Sequence, residues 1–168
     1  LKIHNNSLKA KNLKGNILTE QGKTDKAIKI YKEVLEKDQE NFDASRGLGE
    51  AYLKNKDYDK SLTYLKKAKD INPLDRDLYI FIGDIYYIKK DYDEAIEQYE
   101  PALGLKQDDA DLCCKIGDSY KNLGDIQKAL KWYQIALSKD SDCKKARKSL
   151  EDFYSNPAVQ GDSTIGTW

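Results

Sequence analysis

The sequence predicts an all-α fold built from antiparallel helix pairs. The first sign is the stretch 78–100, LYIFIGDIYYIKKDYDEAIEQYE. It places Tyr79, Ile82, Gly83 and Tyr86 at helical spacing, breaks at Lys89, Lys90 and Asp91, and then places Tyr92, Ala95, Ile96 and Tyr99 at helical spacing again. That pattern is a helix, a tight turn and a second helix. The second sign is its recurrence. Gly15, Gly49, Gly83 and Gly117 stand 34 residues apart. Three positions after each glycine comes Leu18, Tyr52, Tyr86 or Tyr120, and twelve after comes Ala27, Ser61, Ala95 or Ala129. Sixteen after comes Tyr31, Leu65, Tyr99 or Tyr133, and nineteen after comes Val34, Ala68, Ala102 or Ala136. A glycine and a small residue let two helices approach closely, and the larger side chain fills the space beside them. A unit of this length cannot bury its apolar face alone, so neighbours must stack.

A 34-residue helix-turn-helix with this pattern resembles the tetratricopeptide repeat family. The resemblance covers four repeats, 8–41, 42–75, 76–109 and 110–143. It implies a right-handed superhelical solenoid. The family's tryptophan near the start of helix A is replaced by Lys11, Ser45, Tyr79 and Cys113, and its closing proline survives only as Pro73.

Before the repeats, residues 1–7 carry no clear period and are expected to fray. His4 is the only histidine, and no cysteine or acidic neighbour stands at metal-ligand spacing from it. In repeat 1, Lys11 and Lys14 make helix A polar, which suits an end repeat facing water. Repeat 2 closes at Asn72-Pro73. Repeat 3 holds a local conflict. Pro101 falls inside helix B with Gly104 just after it, so the helix is expected to kink or end early between Glu97 and Gly104. Repeat 4 carries Trp132 and Tyr133 on helix B. Residues 144–155 then place Ala146, Leu150 and Phe153 on one face, as a capping helix would. Residues 156–168 read as an irregular tail, in which Ile165 and Trp168 either dock on a neighbour or merely mark a boundary.

Composition narrows the function classes. The formal net charge is zero with 35% charged residues, which argues against a general nucleic-acid or membrane-surface binder. No run of about 18 apolar residues could span a membrane. The absence of any methionine reads as a processed product or a piece of something larger. Three cysteines, with Cys113 and Cys114 adjacent and Cys143 far off in sequence, cannot all pair, and fit a reducing intracellular compartment such as the cytoplasm. No phosphate-binding glycine loop or Ser-His-Asp set is present, so no enzyme, cofactor or metal site is expected. Cys113 and Cys114 read as small, partly buried apolar residues.

The family resemblance implies that helix A of each repeat lines a concave face, through positions 2, 5, 6, 9, 12 and 13. The expected groove holds Arg46, Glu50, Leu53 and Lys54 from repeat 2, and Ile80, Phe81, Asp84, Tyr87 and Ile88 from repeat 3. Repeat 4 adds Cys114, Lys115, Asp118, Lys121 and Asn122, with Asp43, Asp77 and Asp111 at the rim. The three rim aspartates also suit helix starts, and Asp84 and Asp118 are common types at their position. Phe81 and Tyr87 read either as partner anchors or as packing between adjacent repeats. The chaperone-tail carboxylate clamp known in the family is not expected. Asn16 fits it, but Asn12, Gly47, Asp77 and Phe81 stand where the other clamp residues belong.

The reading is a non-catalytic interaction module that binds a protein or peptide segment in its groove, or forms one subunit of a larger assembly. A regulatory module of a multidomain enzyme is the alternative. RNA binding is disfavoured by Glu50, Asp84 and Asp118, because phosphates need cations.

Overall fold

The computed structural model describes residues 2–155, with side chains from Ser7 onward. The side chain of His4 and the tail with Ile165 and Trp168 lie outside the described residues. Among the described residues all regular structure is helical. The chain divides into two compact units, one ending at Lys90 and the other starting at Asp91.

The first unit comprises α1 (Lys2–Glu20), α2 (Thr24–Leu35), α3 (Phe42–Lys54), α4 (Tyr58–Ile71) and α5 (Arg76–Lys89). The first helix begins at Lys2, ahead of the repeat boundary at residue 8. The second unit comprises α6 (Tyr92–Leu105), α7 (Ala110–Leu123), α8 (Ile126–Lys139) and α9 (Lys144–Tyr154).

Five helix starts follow one rule. Asn41, Asp75 and Asp109 precede α3, α5 and α7, and their side chains accept from the backbone N–H of Ala44, Asp77 and Leu112 at 3.0, 3.1 and 2.8 Å. Asp57 and Asp125 do the same for α4 and α8. Each cap satisfies an amide that the helix cannot.

The turns that follow α1, α3, α5 and α7 share a second rule. Gly22, Lys56, Lys90 and Gly124 all have positive φ, at 73°, 59°, 68° and 83°. The left-handed residue stands at one position of every repeat, and only repeats 1 and 4 fill it with glycine.

Packing explains the periodic glycines. A Cβ on Gly15 would lie 2.5 Å from the Tyr31 ring, on Gly49 2.6 Å from Leu65, and on Gly117 2.8 Å from Tyr133. Tyr31, Leu65 and Tyr133 are fully buried, as are Ala27, Ala68, Ala102, Ala129 and Ala136. Ser61 replaces an alanine of the period and donates its hydroxyl to the Gly49 carbonyl at 2.7 Å. Gly47 lies off the period and is also pressed against Tyr31, with a Cβ approach of 2.5 Å.

Of the two outcomes expected at Pro101, a kink or an early end, the early end does not occur. α6 runs unbroken to Leu105. Pro101 and Glu97 are both exposed residues. Tyr99 and Ala102 meanwhile anchor the opposite face in the core. The missing hydrogen bond thus falls on the exposed side of the helix.

Candidate functional site

The helix-A residues of the first unit form a concave pocket of about 320 Å³ between α1 and α3. Asn16, Thr19 and Glu20 line it from α1, Arg46, Gly47, Glu50 and Lys54 from α3, and Tyr31 from α2. Helical spacing on α3 brings Arg46, Glu50 and Lys54 to one side, one turn apart. The ring of Tyr31 reaches the pocket because Gly15 and Gly47 leave room for it, and its hydroxyl donates to Asn16 Oδ1 at 2.7 Å. Burial pushes the Tyr31 phenol pKa up.

Arg46 is the most heavily engaged cation there. Its guanidinium donates to Glu50 at 2.8 Å, to Asp75 at 2.6 Å and to Asp77 at 3.3 Å. Burial works against its charge, but these three carboxylates outweigh burial and raise its pKa. Lys54 Nζ donates to the Thr19 carbonyl at 3.2 Å, tying α3 back to α1. Glu20 and Asp43 stand exposed at the edge of the pocket.

On α5, Ile80, Phe81, Asp84 and Tyr87 are half-buried, and Ile88 is 50% exposed. Phe81 packs against the cluster of Leu62, Leu65, Leu78, Ile82 and Ile85, as does Leu53. Asp84 and Tyr87 both have interaction partners.

On α7 of the second unit, Lys121 is exposed. Lys115 Nζ lies 5.8 Å from the Tyr99 ring centroid, within cation–π range. Asp118 accepts the Tyr133 hydroxyl at 2.8 Å and pairs with Lys145 of α9 at 2.7 Å. Cys114 was expected to face the groove, but it is fully buried, with its Sγ 3.7 Å from Cys143 Sγ. The reason is α9, which begins at Lys144 and packs on α7 and α8.

One relationship escaped sequence reasoning. Asn12 donates to Asn41 at 2.8 Å, Arg46 to Asp75 at 2.6 Å, and Cys114 touches Cys143. Each pair is separated by 29 residues. In each, the fifth position of one repeat meets the residue that precedes the first helix after that repeat. In repeats 1, 2 and 4, position 5 is therefore a joint to the helix that follows. The signal was available as complementary residue types at i and i+29, but only stacking gives that spacing meaning.

The clamp positions have other duties as well. Asn12 is buried in the joint, Gly47 packs on Tyr31, and Asp77 pairs with Arg46. Among the described residues no group of three or more His, Cys, Asp or Glu is placed to hold a metal ion, and no helix is long and apolar enough to cross a membrane.

Comparison with known proteins agrees with this geometry. Tetratricopeptide repeat models match residues 18–82 and 110–143, and a TPR repeat model matches 83–124. The chain belongs to the tetratricopeptide repeat family. Among solved structures, this repeat protein is similar to one titled "Crystal structure of MamA", with a TM-score of 0.80 and 25% identity over 87% of this chain and 85% of that one. A second, titled "Crystal structure of MamA protein", gives 0.77 and 26%, over 88% and 79%. No curated protein matches the repeat chain in sequence.

Proposed function

We propose that the chain is a non-catalytic adaptor or scaffold, part of a larger protein or assembly, that holds an extended or helical partner segment against its helix-A faces. The pocket between α1 and α3 carries this reading. It brings charged and polar side chains of α1 and α3 together beside the rings of Tyr31 and Phe42. Arg46 is already neutralised by Glu50, Asp75 and Asp77, whereas Glu20 and Asp43 stand at the edge. A lysine or arginine side chain of the partner fits there, its stem along Tyr31 and Phe42 and its charge toward the carboxylates. On α5, Tyr87 and the uncovered part of Phe81 would serve as anchors beside Ile80 and Asp84, each ring worth roughly 2 kcal/mol when fully buried. Within the second unit, Lys115, Asp118 and Lys121 of α7 occupy the matching register positions and carry both charge signs. That mixture tunes specificity and association rate more than affinity.

The test starts with the full chain as bait and mass spectrometry to identify what it captures. The captured segment is then titrated against a Glu20→Lys, Asp43→Lys variant and a Tyr87→Ala variant, each checked for retained helicity. The charge reversal should weaken binding roughly tenfold, corresponding to ~1.4 kcal/mol, and Tyr87→Ala should weaken it further. Unchanged affinity in both folded variants would move the working surface away from helix A.

A further inference from the structure

We propose that Cys114 and Cys143 form a redox-sensitive latch that fastens the terminal helix α9 onto the last repeat. The two sulfurs are 3.7 Å apart, and both thiols are free and buried. They occupy the same joint that Asn12–Asn41 and Arg46–Asp75 occupy earlier in the chain. At those joints the contact is an amide pair and an ion pair, which oxidation cannot change. At the last joint it is a dithiol, which a two-electron oxidant can make covalent.

What the latch would hold is a short element. α9 has 11 residues, too few to be stable alone in water. It is held by burial of Ala146 and Phe153, by Lys145 on Asp118, and by packing on α7 and α8. Cys143 immediately precedes its first residue, so a bond from Cys143 to α7 pins the helix at its start. In the reduced state α9 can open locally. Opening would uncover Cys114 and the neighbouring apolar cluster of Cys113, Tyr133 and Ala136, a surface that another helix could cover.

The chemistry balances with a low-molecular-weight disulfide as oxidant. The Cys143 thiolate attacks the small disulfide, forms a mixed disulfide and expels one small thiolate. The Cys114 thiolate then attacks the Cys143 sulfur, closes the S–S bond and expels the second. The protein loses two thiol protons and two electrons, and the oxidant becomes two thiols. Cys143 is the entry point because it is 6% exposed, against 0% for Cys114. Burial, reinforced by the neighbouring Cys143, pushes the Cys114 thiol up to about 12. Closure at neutral pH is therefore slow, and once made the latch persists until a reductant reaches it.

The test incubates the reduced, folded full chain with oxidised glutathione, with a Cys113→Ser variant alongside to remove the adjacent thiol. Peptide mapping under non-reducing conditions should recover a Cys114–Cys143 link from both proteins. The midpoint of thermal unfolding should rise by about 5–10 °C, because the link closes a loop of roughly 30 residues. Hydrogen exchange in 144–154 should slow, and dithiothreitol should reverse all three changes. Cys143→Ser should abolish them. Linkage found only in denaturant, preferential linkage through Cys113, or a link that leaves exchange in 144–154 unchanged would overturn the proposal.

Discussion

Tyr133 on α8 donates its hydroxyl to Asp118 on α7 at 2.8 Å, closing the two helices of the last repeat across their buried side. Tyr31 and Asn16 make the same bond at 2.7 Å three periods earlier. Asp118 therefore has a packing duty whatever else it does. Tyr133→Phe should cost about 1–2 kcal/mol, since it leaves a carboxylate oxygen short of a donor. Asp118→Ala should cost more, because Lys145 then loses its partner too. Urea denaturation of each variant checks the order.

The same tyrosines set an alkaline limit. Burial, and for Tyr133 the hydrogen bond to Asp118, raise the folded pKa of both phenols above the ordinary value of 10. The folded state therefore keeps protons that the unfolded state gives up. The stability linked to these groups is fully present below pH 10 and is lost as pH rises through the folded pKa. Denaturation measured from pH 8 to 11 should show a steeper loss above pH 10 in the parent than in a Tyr31→Phe, Tyr133→Phe variant. Equal slopes would show that the phenols do not contribute.

Turn chemistry offers a gain. Lys56 and Lys90 hold the left-handed conformation that Gly22 and Gly124 fill at the same repeat position. Lys56→Gly and Lys90→Gly should each stabilise by about 1 kcal/mol, and Gly124→Ala should destabilise by a similar amount. Thermal unfolding of the three variants tests both signs.

Pro101→Ala should stabilise α6 by ~1–3 kcal/mol, since it restores an amide that can bond the Glu97 carbonyl in an exposed helix interior. Gly117→Ala should do the opposite by about 1–3 kcal/mol, because the new Cβ would lie 2.8 Å from the Tyr133 ring. Chemical denaturation of each checks the direction.

These cases mark what was legible in the sequence. The helix pairs could be read because Gly15, Gly49 and Gly117 and their partners Tyr31, Leu65 and Tyr133 recur at one spacing, and packing needs both members. Gly22 and Gly124 also lie on the period, but Lys56 and Lys90 hide the shared conformation, since nothing in a lysine announces positive φ. The unbroken α6 depended on which side of the helix Pro101 faces. The counted groove positions were only partly informative. Lys54 and Lys121 reach solvent, Arg46 is taken up by three carboxylates, and Cys114 is covered by α9. Position counting assigns a face to a residue but cannot say whether a later element will occupy it.

The claim that a partner lies along helix A is tested most directly by site-specific photo-cross-linking with the captured partner. A photoreactive side chain is placed at Asp43 or Tyr87 on the helix-A side, and at Lys29 or Asp70 on helices α2 and α4. The account predicts cross-links from Asp43 and Tyr87 to one segment of the partner, lost on competition with that segment as a free peptide, and none from Lys29 or Asp70. Cross-links from Lys29 and Asp70 with Asp43 and Tyr87 silent would contradict it.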